Sequence, residues 1–387
     1  MQEISKVGKK ERKQIYEEII NAFSKKYSWL GGQAAKEMLV SAATWNIQKY
    51  SNPPFRFRSH VMLAWERGYL KSTMLRDMAE ILGDDMTSVV GKVSDAAMRG
   101  SVSGGSFTPP KPLQAPIVIS TEFGQSNFED ELLNIFLNQL EEGHTNVSLN
   151  KIGSLSQSQR SNIEENYNNK IEFKANNEYD LKCDFVFWGA TYDPSKLEDD
   201  ALRSRFNVVT PAKPLNYEIT YQADNSPPVK KLIDKTTVKD CRKLLRSTEE
   251  FPTDFRPPKR LYKKYGLIPR ESRDVQAYMA GRNWWGLNCD PEVMESYISY
   301  LQNSRRVSTM SPEERVYDMV FDTPKGYKEI QEETGLQKKE IYKIMKSIGA
   351  EKYKLSPDEN MKWVVWSGAG DEEDEETDKG GFLEGYL

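Results

Sequence analysis

Histidine and cysteine are the scarce residues of this chain. Two histidines, His60 and His144, and three cysteines, Cys183, Cys241 and Cys289, occur among 387 residues. Cysteines this far apart give neither a disulfide framework nor a metal knuckle, and two lone histidines make neither an imidazole metal site nor a nucleophile–base pair. Any hydrolytic chemistry must then rest on carboxylates, lysine and arginine. Long apolar runs are missing too. No stretch approaches the ~20 residues of a membrane span, and the N-terminus lacks the apolar core of a secretory signal. With 29% charged residues and a mean hydropathy of −0.70, the expectation is a cytoplasmic protein with no membrane partner.

Charge is unevenly spread. The tail from Ser367 to Leu387 holds eight carboxylates against Lys379, a local charge of −7 within a formal total of −4, which leaves +3 for the rest. A mildly basic body is compatible with nucleic acid as a partner without requiring it.

The chemistry-bearing stretch is His60–Leu75, HVMLAWERGYLKSTML: an apolar run, a turn with Gly68, then Lys71-Ser72-Thr73 opening a helix. A phosphate-binding loop aims backbone N–H groups and a helix N-terminus at an anion, with a lysine for the β/γ-phosphates and a hydroxyl for Mg²⁺. Lys71 and Ser72 suit those two roles. The glycines of G-x-x-x-x-G-K-[ST] fall on Trp65 and Leu70, and only Gly68 lies inside the turn. A leucine is disfavoured there if φ is positive. Alone, the stretch reads equally well as an ordinary strand, turn and helix.

Apolar spacing predicts two helices over residues 9–50, broken at Gly31-Gly32 and ended by Ser51-Asn52-Pro53-Pro54. Gly104–Pro112 reads as a linker. Ile117–Ser120 followed by Thr121-Glu122 reads as a buried parallel strand that delivers a carboxylate at its C-terminal end. A helix is predicted from Phe128 to Glu142. Asn146–Leu155 alternates like a hairpin with Lys151 near its tip, and Ser156–Asn177 reads as a polar surface loop. Asp184–Ala190 is a second buried strand, ending at Thr191-Tyr192. Strands alternating with helices argue for an α/β sheet of parallel strands. Pro211–Pro258 is expected to be irregular, and Ser272–Leu301 helical. Ser311–Trp366 reads as helix, helix, glycine turn, helix and a strand at Met361–Trp366, the plan of a winged helix-turn-helix. The last residues, Phe382–Leu387, close an acidic, disordered tail with an apolar peptide suited to docking.

Taken in order, several motifs resemble the AAA+ core of the minichromosome maintenance helicases: the Lys-Ser-Thr loop, SDAAMRGS, the strand before Glu122-Phe123, LEEG, VSLNKIG, GAT and ALRSRF. The resemblance spans roughly residues 31–290. It implies an α/β fold with a P-loop core and a parallel sheet flanked by helices, a small helical lid and a C-terminal winged helix. The expected layout is an N-terminal helical segment (1–54), the ATPase core (55–212), a linker and helical lid (213–308), the winged helix (309–366) and the acidic tail (367–387). The family's N-terminal collar domain is expected to be missing.

The cofactors implied by the resemblance are ATP and Mg²⁺. Gly68, Lys71, Ser72 and Thr73 then form the phosphate loop, Ser72 ligates the metal and Glu122 polarises the attacking water. Thr121 stands where the family has a metal-associated aspartate. Thr191 or Tyr192 stands at the first-sensor asparagine, without the amide's paired donor and acceptor. Arg205 matches the finger that a neighbouring subunit inserts, Arg273 the second-sensor arginine on the lid, and Lys151 the channel hairpin lysine that touches DNA. Lys338, Lys339, Lys343 and Lys346 would meet DNA phosphates if their helix entered a groove. Each has a plainer reading as a solvated lysine, a strand-end carboxylate or a surface ion-pair arginine.

The resulting expectation is a DNA helicase or translocase driven by ATP hydrolysis in a homo-oligomeric, hexameric ring. Atypical Walker motifs point to weak turnover, and the tail peptide would dock on a replication partner. The alternatives are a DNA-binding replication or transcription regulator with a degenerate core, and a viral genome-packaging motor suggested by the RGYLKST loop.

Overall fold

The computed structural model describes residues 8–48, 58–123, 130–174, 177–192, 200–246 and 255–307, and towards the C-terminus 316–317, 319–321, 324–334, 336, 338–353 and 362–364. The chain divides into two units, Met1–Thr309 and Met310–Leu387. The acidic tail with its apolar peptide, and Ser51–Pro54, lie outside the described residues. Among those described, no helix is long and apolar enough to cross a membrane.

The first unit opens with α1 (Lys9–Gln48), interrupted by non-helical Tyr27 and Ser28, the latter at φ 58°. The expected break at Gly31-Gly32 is therefore displaced, and the glycines do something else. A Cβ on Gly31 would lie 2.5 Å from both the Phe23 carbonyl oxygen and the Tyr27 Cβ, so glycine is what lets the chain pass the kink.

From β1 (His60–Ala64) the chain runs through α2 (Lys71–Leu82), β2 (Thr87–Val90), α3 (Asp95–Arg99), β3 (Ser101–Ser103) and β4 (Ser106–Thr108). Then come α4 (Lys111–Gln114), β5 (Ile117–Ser120), α5 (Asp130–Glu141), β6 (His144–Ser148), α6 (Gln157–Asn166), β7 (Ile171–Phe173) and β8 (Glu178–Lys182). β9 (Val186–Thr191), α7 (Asp200–Arg203) and β10 (Phe206–Val209) complete the α/β part. The order β10-β1-β9-β5-β2 makes a five-stranded sheet in which every pair is parallel.

Because side chains alternate along a strand, β1, β5, β9 and β10 each feed two cores. Val61, Leu63, Ile117, Ile119, Val186 and Trp188 join the apolar cluster containing α1 and α2. Met62, Val118, Phe187 and Val208 join the other cluster, with Phe136 and Leu140 of α5. The two strands expected at Ile117 and Asp184 are thus buried on both faces.

Four stretches depart from expectation. Gly104–Pro112 is no linker: Gly104 (φ 56°) and Gly105 (φ 75°) form the two-residue turn of the β3–β4 hairpin, and positive φ at both central positions matches strand twist. Asn146–Leu155 does not pair with itself, since β6 pairs antiparallel with β8 some thirty residues later. Ser156–Asn177 contains α6, held by a capping box between Ser156 and Gln159, and β7. Likewise Pro211–Pro258 holds α8 (Tyr217–Asp224) and α9 (Lys235–Leu245). The Asp234 carboxylate caps α9 by accepting from the Thr236 N–H at 2.6 Å, and Val238, Cys241, Leu244 and Leu245 form its buried stripe. α10 (Lys259–Tyr265), α11 (Pro269–Trp284) and α12 (Pro291–Val307) follow.

The second unit holds helices Tyr327–Thr334 and Lys338–Ser347 and a three-stranded antiparallel sheet of Lys325–Gly326, Lys362–Val364 and Glu351–Tyr353. Two strands accompany the one expected. Its core is Val316, Val320, Ile330, Ile341, Ile344, Met345 and Trp363.

Candidate functional site

In a parallel sheet all strand C-termini share one edge, and ligands bind where neighbouring strands send their connections in opposite directions. β1 and β9 are such a pair. β1 connects to β2 at one margin of the sheet, and β9 connects across β1 to β10 at the other. The turn Trp65–Leu70 leaves β1 at this point, Thr191-Tyr192 ends β9, and Thr121-Glu122 leaves the adjacent β5.

The turn is built with few glycines and two residues at positive φ. Gly68 sits at φ 87°, and Leu70, at φ 61° and ψ 14°, caps α2 in the left-handed region. That conformation costs an L-residue about 1–2 kcal/mol. The strain expected where leucine replaces glycine is therefore present. Trp65 braces the turn from beneath, its indole N–H donating to the Tyr69 carbonyl at 2.9 Å.

Lys71 is 8% exposed, and its ammonium donates to the Trp65 and Glu66 carbonyls at 2.6 Å each. Burial lowers its pKa to about 8, opposed by the Glu66 carboxylate and assisted by the Arg67 charge. The lysine thus lies folded into its own turn. The Ser72 hydroxyl donates to the Thr121 carbonyl at 2.8 Å, tying the start of α2 to the end of β5. Thr73 is exposed. Thr121 is buried, while Glu122 beside it is exposed, its N–H donating to the Gly91 carbonyl at 2.9 Å. Thr191 is buried at the end of β9. Tyr192 carries the guanidinium of Arg67 over its ring, 3.8 Å from the centroid.

Lys71, Ser72, Thr121, Glu122, Thr191 and Tyr192 are therefore gathered at one edge. Arg67 joins them without having been singled out. Its signal was a cation inside the RGYLKST turn, between the strand and the lysine.

Arg205 and Arg273 lie elsewhere. Arg205 immediately precedes Phe206, which pairs with His60, the first residue of β1. It is therefore at the amino edge, and β1 alone separates the two edges by roughly 13 Å at the usual rise. At this edge Glu141 pairs with Arg205, with Arg270 at 3.1 Å and with Arg273 at 3.6 Å. Arg270 also donates to the Ser204 hydroxyl at 2.5 Å. Burial alone would raise the Glu141 carboxyl, but the three guanidiniums outweigh it and hold it below the usual carboxylate range. A cleft of about 50 Å³ opens beside this group. Its floor includes His60, whose Nε2 bonds the Leu140 carbonyl at 3.1 Å and whose Nδ1 accepts the Phe187 N–H at 2.9 Å. Burial depresses the His60 pKa to about 3.

Lys151 is exposed in the left-handed conformation (φ 74°), in the turn before the short helix Ile152–Ser154 and not at a hairpin tip. Lys338, Lys339, Lys343 and Lys346 are exposed along helix Lys338–Ser347, whose buried side is Ile341, Ile344 and Met345. Tyr342 lies among them, 42% exposed, with its ring against Tyr327 and Trp363.

Among the described residues no cluster of His, Cys, Asp or Glu could hold a metal ion. Ser72 offers a hydroxyl oxygen near Thr121, whose side chain lacks the charge of an aspartate. The donors here, an ammonium, a guanidinium and a helix N-terminus, fit a phosphate chain. Compared with protein-family models and with curated proteins, the chain matches none.

Proposed function

We propose that this chain is a phosphate-loop ATPase of the AAA+ kind, resembling the minichromosome maintenance helicases, that assembles into a ring and moves DNA. The observation carrying this reading is the division of charged groups between the two edges of one parallel sheet. Lys71, Ser72 and Glu122 stand at the carboxyl edge, at the switch point between β1 and β9. Arg205 and Arg273 stand together at the amino edge. One chain cannot bring both groups to a single phosphate. Copies arranged head to tail can, and such heterologous contacts form a ring when the rotation between copies closes.

In this reading Lys71, now on the Trp65 and Glu66 carbonyls, would hold the β/γ-phosphates, the Ser72 hydroxyl would hold Mg²⁺, and Glu122 would orient the attacking water. Bound Mg·ATP supplies the phosphoanhydride whose cleavage drives the cycle. Arg205 of the adjacent copy stabilises developing charge, a contribution worth ~10³–10⁵ in rate for such arginines. Thr121 brings no negative charge, which fits slow turnover. Lys151, on an exposed turn, contacts DNA phosphates. The second unit acts as a winged helix-turn-helix whose lysine-bearing helix meets a groove.

That lysine face also favours a second reading, a DNA-binding regulator in which the sheet unit is an assembly scaffold. ATP hydrolysis with and without DNA separates the two, for wild type, Lys71→Ala, Glu122→Gln and Arg205→Ala. The motor reading requires DNA-stimulated turnover lost in each variant. Sequence-specific duplex binding that persists in Lys71→Ala, with no turnover in wild type, supports the regulator instead.

A further inference from the structure

Arg67 occupies an uncommon position for a surface arginine. It lies on the turn between β1 and α2, four residues before Lys71, and is exposed. Its guanidinium stacks on the Tyr192 ring with 3.8 Å to the centroid. Among the described residues no carboxylate pairs with it. Stacking fixes the plane of a guanidinium through its face and leaves the N–H donors around its rim unspent. A carboxylate partner would have consumed both the charge and the donors.

The surroundings make the choice of ligand narrow. Arg67 lies on the six-residue turn Trp65–Leu70 and Lys71 is the first residue of α2 after it, so the two cations stand four residues apart, and the Arg67 charge acts on Lys71. Glu66 and Glu122 are the neighbouring carboxylates, both exposed. Lys71 is already engaged with carbonyls inside the turn, whereas Arg67 extends to the end of β9. Thr191 or Tyr192 stands where the resemblance leads one to expect a sensor amide, and of the two Tyr192 carries the guanidinium. An aromatic ring there cannot offer the amide's donor and acceptor, but it can seat a guanidinium that supplies donors in its place.

We propose that Arg67 contacts the terminal phosphate of a bound nucleoside triphosphate, and that Tyr192 is its positioning residue. This rests on the nucleotide-site reading above and adds a specificity determinant to it. Arg67 distinguishes triphosphate from diphosphate within the same chain, separately from arginines brought by a second copy.

The test is equilibrium titration of the full chain with fluorescent ATP and ADP analogues, each in magnesium. It uses wild type, Arg67→Ala, Arg67→Lys, Tyr192→Phe and Tyr192→Ala. A charge-assisted contact of the ordinary strength predicts that Arg67→Ala weakens the ATP analogue about 10- to 100-fold. The ADP analogue should stay within a factor of about two, since no contact to it is lost. Arg67→Lys should recover only part of the loss, because an ammonium cannot stack in a plane. Tyr192→Phe keeps the ring and should bind as wild type, whereas Tyr192→Ala should behave towards ATP like a milder Arg67→Ala. Equal weakening of both nucleotides, no weakening of either, or a Tyr192→Phe defect as large as that of Tyr192→Ala would overturn the assignment. Such results leave the nucleotide site itself standing. Wild-type protein that binds neither analogue overturns both.

Discussion

Glu141 is the place where the physical account can be tested most quantitatively without any ligand. One carboxylate faces three guanidiniums that differ in burial and distance. The side chains of Arg205, Arg270 and Arg273 are 12%, 29% and 46% exposed, and that of Glu141 is 28% exposed. Breaking a fully buried ion pair costs ~3–5 kcal/mol, whereas an exposed pair couples by ~0.2–1 kcal/mol. Double-mutant cycles of Glu141→Gln with each arginine changed to alanine should therefore give graded couplings. About 1–2 kcal/mol is expected for Arg205, less for Arg270 and at most about 0.5 kcal/mol for Arg273. Glutamine keeps the shape and removes the charge, so packing changes cancel around the cycle. Urea unfolding at low and high salt is the assay, and the Arg273 coupling should vanish first as salt rises. Equal couplings, or a larger one for Arg273 than for Arg205, would refute the reasoning that burial sets the strength of this cluster.

Three further outcomes are expected. His60 is buried neutral with its pKa depressed to about 3 from 6.5, so the unfolded chain takes up a proton that the folded chain refuses. Its stabilising contribution is whole above pH 6.5 and declines by about 1.4 kcal/mol per pH unit as pH falls towards 3; denaturant titrations from pH 7 to 4 should be steeper for wild type than for His60→Gln. Gly31→Ala should destabilise by roughly 1–3 kcal/mol, because its Cβ would strike the Phe23 carbonyl and Tyr27 rather than flexible side-chain ends; a shift below about 0.5 kcal/mol in urea unfolding contradicts the close approach. Leu70→Gly relieves about 1–2 kcal/mol of left-handed strain while losing unfolded-state restriction and part of a half-buried side chain, so stability should change by less than about 1 kcal/mol. Leu70→Val at the same position should be clearly worse, and equal stabilities would argue that Leu70 is not in that conformation.

The sequence made the sheet legible wherever strands are buried on both faces. Ile117–Ser120 and the run before Thr191 announced themselves because every residue is apolar or small, which only a central parallel strand requires. The strain at Leu70 is legible too, since a turn entering a helix through positive φ suits glycine and not leucine. What escaped was polar structure held by local hydrogen bonds. α6 buries almost nothing and rests on its capping box, so no apolar period betrayed it. α9 hid among prolines, although Asp234 and the Val238, Cys241, Leu245 spacing mark it in hindsight. The break in α1 falls at Tyr27-Ser28 and not at Gly31-Gly32, because Gly31 serves close packing there. Long-range partnerships were beyond reach: nothing local says that β6 pairs with β8, that Arg270 shares Glu141 with Arg205, or that Arg67 lies on Tyr192.

In the proposed motor, groups at opposite edges of one sheet meet only between copies of the chain. Its most direct test is to mix Lys71→Ala protein with Arg205→Ala protein and measure ATP hydrolysis. One variant keeps the arginine edge and the other keeps the phosphate loop, so interfaces joining them are whole. The account predicts that two inactive preparations regain turnover on mixing. A mixture as inactive as its components, from variants that still assemble, would contradict it.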